Sequence, residues 1–318
     1  MKIKKKYKIG LGGLEKPKLN FLKKKFKNIK FYSLKKDNFF KKLDLDSIVI
    51  FTEGSLSGVI DSFFINKKYK LFKKLQWFHL SRAGLDEYAS EIKKIKFSIT
   101  CGKIIQGPNV SEHCIAILLH LSRRLKFVDN KKMLAMNRPI ELYKKKALVV
   151  GCGGIGTSIA EKLNAFGMEV SVADVRYVPL SYYIKEFYLY ENLREIINKF
   201  DVVINSSSLT KSTENLFDKK IFSKMKNNSI FINVSRGKCV KTNDLLYYLK
   251  KNKFLGVGLD VADPEPLPKN HALRKFPNFF YTDHTAGWSD SLDRRFRLIV
   301  DNLNRFVKKD KLINLVKF

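Results

Sequence analysis

Acidic side chains are scarce in this 318-residue chain: 30 Asp and Glu face 62 Lys and Arg, a formal charge of +32. Cysteine is scarcer still. The four present (Cys101, Cys114, Cys152 and Cys239) have neither paired nor metal-ligand spacing, so no disulfide framework and no metal site is expected. Free thiols in a reducing, cytoplasmic compartment are the simpler reading. Long apolar runs are missing too. The best, Ile115–Leu121, is broken by His120 and is too short to cross a bilayer. The opening MKIKKKYKIGLGGLEKP is basic but has no apolar stretch before Glu15, so a secretory signal is not expected. Internal repeats and low-complexity linkers are absent beyond a lysine-rich front. A hydrophobic content of 45% suffices for two cores and excludes disorder.

Arginine is absent from residues 1–75, which hold 21 lysines against 6 acids, a net of +15. A run of this kind is either a nucleic-acid or membrane-surface patch or a solvated face. In LNFLKKKFKNI, Leu19, Leu22, Phe26 and Ile29 recur at helical spacing, which puts the aromatics in a core and the lysines outside. That pattern favours the solvated face, so neither nucleic acid nor membrane is expected as a partner.

What is there is an alternation of short apolar runs with amphipathic stretches, the mark of parallel α/β architecture. KALVV (146–150), EVSVA (169–173), DVVIN (201–205), SIFIN (229–233), FLGVGL (254–259) and FFYTD (279–283) read as strands. Helices are expected at about 157–166, 218–226 and 242–252, giving a doubly wound sheet. The front has its own strands near 6–11, 47–51 and 75–79, and so forms a second, smaller α/β domain. Residues 107–126 read as a long, mostly apolar helix. The tail from Ser289 carries Leu292, Phe296, Ile299, Leu303 and Phe306 along one helical stripe. The expected domains are 1–103 with 290–318, and 104–289 between them.

GCGGIG places Gly151, Gly153 and Gly156 in GxGxxG spacing, after a strand and at the start of a helix. The first glycine permits a tight turn, the second lets backbone approach a pyrophosphate, and the third allows close helix–strand packing. Asp174 follows Gly156 by 18 residues at the end of the next strand. A carboxylate there accepts hydrogen bonds from a ribose and repels a 2′-phosphate, which favours NAD over NADP. Arg176, two residues on, argues the other way.

Of five histidines, His79 lies inside a strand, His113 and His120 lie on the long helix, and His271 sits in a loop; structural roles suit the first three. His284 follows the last strand, at the carboxyl edge where doubly wound sheets place their ligands. Arg236 occupies the matching edge after SIFIN, and Asp260 and Asp263 follow FLGVGL.

NVSRG, LDVADPEPLP and DHTAG, downstream of GCGGIG, resemble the D-isomer-specific 2-hydroxyacid dehydrogenases, and the resemblance covers about residues 75–318. It implies a Rossmann NAD-binding domain inserted in a smaller flavodoxin-like substrate domain, with a homodimer formed through the 107–126 helix. It also implies a triad, which falls on Arg236, Asp263 and His284. Arg236 pairs with a substrate carboxylate, His284 exchanges the proton, and the acid orients the imidazole. Relatives ordinarily place glutamate where this reading puts Asp263. Cofactor contacts are implied at Gly151, Gly153, Gly154, Ile155, Gly156, Asp174, Ser207, Ser208, Thr213, Val234, Ser235 and Asp260, and at Arg236, His284 and Gly287. Substrate contacts are implied at Arg82, Ala83 and Gly84 with Arg236 and His284, in a cleft assembled by domain closure. Arg82 is either a second cation for the substrate or a solvent-facing turn residue. Trp288 either walls the pocket or packs under the C-terminal helix. Further departures are Ser208 for a proline, Lys144 for a glycine, and Asp283 for a proline; Asp283 adds a carboxylate beside His284. The expected reaction is hydride transfer between NAD(H) and C2 of a small 2-oxo or 2-hydroxy acid such as glyoxylate or hydroxypyruvate. The alternatives are a 3-phosphoglycerate dehydrogenase-like enzyme and a dinucleotide-gated corepressor or basic nucleic-acid-binding member of the family.

Overall fold

The computed structural model describes residues 7–34, 49–52, 57–126, 138–178, 181–289 and 292–316. The chain divides into two compact units, residues 1–105 with 289–318, and residues 106–288.

The first unit is built on a parallel sheet of β1 (Tyr7–Gly12), β2 (Ile29–Leu34), β3 (Val49–Thr52), β4 (Trp77–Leu80) and β5 (Ser98–Cys101), in the order β2-β1-β3-β4-β5. This is the flavodoxin-like order. Helices α1 (Lys16–Lys25), α2 (Ser57–Phe64) and α3 (Ala89–Ile92) and the C-terminal helix Leu292–Lys308 belong to it. Every residue of β4 is buried, as a parallel strand covered on both faces requires. Its side chains alternate between two cores. Phe78 stacks on Phe63 with ring centroids 4.2 Å apart, while Trp77 joins Ile9, Leu11, Leu22, Ile299 and Leu303.

His79 is a core residue: its Nδ1 lies 2.8 Å from Thr100 Oγ1, and burial pushes the imidazole pKa down to about 3. The lysine-rich stripe is helical only in part. Leu19, Leu22 and Phe26 reach the core from α1 and its cap, but Ile29 reaches it as the first residue of β2. Helical spacing continued by chance across the boundary.

The second unit carries seven parallel strands: β6 (Lys146–Val150), β7 (Glu169–Asp174), β8 (Glu186–Leu189), β9 (Val202–Asn205), β10 (Ser229–Asn233), β11 (Phe254–Leu259) and β12 (Phe279–Tyr281). Their order, β12-β11-β10-β9-β6-β7-β8, is the Rossmann order with one strand added beside β11. Helices α4 (Gly107–Ser122), α5 (Gly154–Ala165), α6 (Leu193–Ile196), α7 (Lys219–Lys224) and α8 (Thr242–Lys250) complete it. The apolar runs of β6, β9, β10 and β11 are buried throughout except for Lys146. Edge strand β8 is only half-buried, which is why EFYL sends no strong apolar signal. Lys144 takes φ of 59°, a left-handed conformation that glycine adopts without strain. The strands end in Val150, Asp174, Leu189, Asn205, Asn233, Leu259 and Tyr281, so one edge gathers every segment of this unit that carried a motif. Among the described residues, no helix is long and apolar enough to cross a membrane.

Candidate active site

The glycine loop follows β6 and opens α5. A Cβ on Gly156 would stand 1.8 Å from the Gly151 carbonyl oxygen, so only glycine lets the helix start this close to the turn. A Cβ on Gly153 would meet nothing within 4 Å. Gly153 caps α5 without a side-chain bond, and the first-turn amides of Gly154, Ile155 and Gly156 have no partner within the helix. Open space before unpaired helix amides fits the pyrophosphate of a dinucleotide.

Asp174, at the end of β7, accepts hydrogen bonds from the Cys152 amide (2.7 Å) and the Val175 amide (2.8 Å). It thereby ties the glycine loop to the strand that would present a ribose contact. Arg176 is exposed beside it. Tyr190, not anticipated from sequence, has its hydroxyl hydrogen-bonded to Ser207; burial and the Asp174 charge raise its pKa.

Two asparagines, the last residues of β9 and β10, set the neighbouring loops. Asn205 Nδ2 donates to Asn233 Oδ1 at 3.0 Å, and Ser207 Oγ donates to Asn205 Oδ1 at 2.8 Å. Asn233 Nδ2 donates to the Arg236 carbonyl at 3.0 Å, and Ser235 Oγ bonds to the Ser207 carbonyl. Both asparagines are fully buried, so the ladder is shielded from water. Thr213 is buried as well, its Oγ1 2.6 Å from the Ser208 carbonyl. Ser207, Thr213 and Ser235 thus shape the loops through internal bonds, beside Ser208 and Val234. DVVIN and SIFIN both end in asparagine, which was the available signal.

Arg236 is half-buried, with Nη1 donating to the Ser235 carbonyl at 2.8 Å. The next residue has no room for a side chain: a Cβ on Gly237 would lie 1.8 Å from the Ala262 carbonyl oxygen. NVSRG is therefore pressed against the segment that follows β11.

That segment supplies a carboxylate, but not the expected one. His284 Nδ1 lies 2.6 Å from Glu265 Oε1, and Glu265, not Asp263, is the acid of the pair. The Asp263 backbone is anchored elsewhere, its carbonyl accepting from Thr242 Oγ1 at 2.7 Å, and its side chain is exposed. Glu265 extends to the imidazole two residues later. Glutamate is the residue type that the resemblance implied for this acid, and that residue type was the missed signal; the apparent shortening to aspartate disappears. Asp283 is engaged elsewhere, accepting from the Tyr281 hydroxyl at 2.7 Å.

The Glu265 hydrogen bond raises the His284 pKa, against burial and the Arg236 charge, with Asp260 assisting. His284 also adopts φ of 52°, a left-handed conformation costing about 1–2 kcal/mol in a non-glycine residue. Its amide donates to the carbonyls of Asp260 (2.7 Å) and Thr282 (2.8 Å). Asp260, 2% exposed, accepts from the amides of Thr285 (3.0 Å) and Ala286 (3.2 Å). Burial works against ionisation of this carboxyl, yet bonds from His113, Thr282 and Ala286 keep its pKa below the ordinary range. Gln106, which caps α4, stands beside Gly287, and Trp288 is 79% exposed.

In the first unit, Arg82, Ala83 and Gly84 lie in the turn after β4. Arg82 is not a free cation there. It pairs with Glu87 and lies over the Tyr88 ring, 5.0 Å from the centroid.

Doubly wound sheets of this order hold dinucleotides at their carboxyl edge. An acid-coupled imidazole and a guanidinium at that edge place the protein among dinucleotide-dependent oxidoreductases. Residues 113–286 match the NAD-binding domain of the D-isomer specific 2-hydroxyacid dehydrogenases. The human glyoxylate reductase/hydroxypyruvate reductase is 32% identical over 229 residues, 69% of this chain and 70% of that protein. Among solved structures, a D-isomer specific 2-hydroxyacid dehydrogenase family protein from Aeromonas salmonicida shares the fold with a TM-score of 0.82 at 24% identity. The match covers 98% of this chain and 99% of that one. The NADPH-dependent glyoxylate/hydroxypyruvate reductase of Sinorhizobium meliloti gives 0.73 at 22%, covering 98% and 96%. The chain belongs to the D-isomer specific 2-hydroxyacid dehydrogenase family.

Proposed function

We propose that the protein is an NAD-dependent reductase of small 2-oxo acids of the glyoxylate and hydroxypyruvate type, running in reverse as a 2-hydroxyacid dehydrogenase. The observation that carries this reading is the 2.6 Å contact of Glu265 with His284, within the field of Arg236. Bound NAD(H) supplies the hydride that C2 gains on reduction. The chain's own residues do the rest. The planar fork of Arg236 pairs with the substrate carboxylate and polarises the C2 carbonyl. His284, held protonated by Glu265, gives its proton to the carbonyl oxygen, so the 2-oxo acid becomes a 2-hydroxy acid. In the oxidative direction the neutral imidazole takes that proton back. The α5 amides and the open face of Gly153 would hold the pyrophosphate, and Asp174 would meet the ribose. A carboxylate there opposes a 2′-phosphate, so NADH is the favoured reductant, with exposed Arg176 as the residue that would weaken the preference.

The test is a panel of 2-oxo acids assayed with NADH and NADPH. Turnover of glyoxylate or hydroxypyruvate with a higher kcat/KM for NADH is expected, and Asp174→Ala should narrow the gap between the cofactors. Equal or better use of NADPH by the wild type would mean that Arg176 governs the pocket. Absence of turnover across the panel would refute the assignment.

A further inference from the structure

Helix α4 sends two side chains, one helical turn apart, to the turn that carries His284. Asn109 Nδ2 donates to the Ala286 carbonyl at 3.3 Å. His113 Nε2 lies 2.8 Å from Thr282 Oγ1 and 3.4 Å from Asp260 Oδ1. The proton inventory settles who donates. Thr282 has one hydroxyl hydrogen, and it is directed to Asp260 Oδ1 at 2.7 Å. Thr282 Oγ1 therefore accepts from His113, whose Nε2 carries hydrogen.

The chain of contacts continues to the site. Asp260 is buried, and its carboxylate gathers the amides of Thr285 and Ala286 on the far side of His284. Its carbonyl, with that of Thr282, receives the His284 amide on the near side. A left-handed histidine needs such bracing from both sides, and the brace ends in His113. The groups that act on the His284 ring are Glu265 and Asp260 from the segment after β11 and Arg236 from the loop after β10.

We propose that His113 is a positioning residue, which through Thr282 and Asp260 holds the left-handed turn that aims His284 at Glu265. The His113 imidazole bonds to Thr282 and approaches Asp260, so it acts on the pair through the turn. The proposal rests on the reading of His284 as the proton-exchanging group.

The test uses the full-length protein without cofactor, and reads the His284 imidazole by NMR titration, assigned with His284→Asn. Loss of the donor in His113→Leu loosens the turn and weakens the Glu265 contact, so the His284 pKa falls toward the ordinary histidine value. The reductive kcat falls by about tenfold, the weight of one hydrogen bond, with KM for the 2-oxo acid little changed. His113→Gln places an amide donor where Nε2 stood and should retain both the titration and kcat. Thr282→Val removes the relay without altering either end and should move the His284 pKa in the same direction as His113→Leu. If His113→Leu and Thr282→Val lower only the melting temperature and leave the His284 titration in place, the residue is merely structural and the proposal is overturned. Failure of the folded His113→Gln protein to retain the titration would overturn it as well. Should wild type reduce no 2-oxo acid, the proposed function fails while the titration still reports on the brace.

Discussion

Glu265→Gln keeps the shape of the side chain and removes its charge, which separates orientation from electrostatics at His284. Glu265 contributes most to raising the His284 pKa, while burial and Arg236 favour the neutral ring. Reduction needs the imidazolium as donor, so its rate is full below the raised pKa and falls as pH rises through it. Oxidation needs the neutral base and rises over the same interval. Without the Glu265 charge, both profiles move to lower pH. A hydrogen bond to a charged group is worth about 1.5–3 kcal/mol. With side chains 49% and 35% exposed, solvent screening puts this one at the low end, about 1.5–2 kcal/mol. At about 1.36 kcal/mol per decade, reduction at a pH well above the raised pKa should slow by roughly 10- to 30-fold, and by less nearer to it. The assay is a pair of pH–rate profiles, one in each direction, for wild type, Glu265→Gln and Asp263→Asn. Asp263→Asn should leave both profiles in place. If it moves them and Glu265→Gln does not, the pairing described here is wrong.

Arg236→Ala should lower kcat/KM for every accepted 2-oxo acid by about 10²- to 10³-fold, the weight of a half-buried charge pair, while NADH titration by fluorescence still shows binding; survival of most of the activity would rule out its carboxylate role. Gly237→Ala drives a Cβ into the Ala262 carbonyl and should cost about 2 kcal/mol and several degrees of melting temperature along with activity, so an unaffected variant would contradict the packing of NVSRG on the 262–265 segment. His79 bears on acid stability: its folded pKa of about 3 lies below the unfolded 6.5, so the unfolded chain takes the proton first and stability is lost as pH falls from about 6.5 toward 3. At pH 5 the loss is about 2 kcal/mol, and His79→Asn, which keeps a donor near Thr100, should remove that dependence in urea unfolding compared at pH 7.5 and 5.

Much of the site was legible because its motifs are local. A glycine loop after a buried strand, an arginine after SIFIN and a histidine after FFYTD are each tied to a strand end, and parallel strands put all their carboxyl ends on one edge. The strand cores were readable for the same reason, since KALVV and FLGVGL must be covered on both faces. Elements with weaker apolar signals escaped: edge strand β8 is half-buried, and β2 begins inside what looked like a continuing helical stripe.

Through-space partners were decided by the tertiary structure alone. Asp263 and Glu265 stand two residues apart in a proline-rich loop, where no periodicity fixes which carboxylate turns to the imidazole. Anchoring of Asp263 by Thr242 and the packing of Gly237 on Ala262 settle it for Glu265. His113 and Thr282 are 169 residues apart, and Asn205 and Asn233 are 28 apart; such pairs meet only once the sheet and α4 are assembled. Sequence order by itself determined which chemistry reaches the carboxyl edge, because strand ends are local; folding chose the partners there, because hydrogen bonds depend on distance in space and not along the chain.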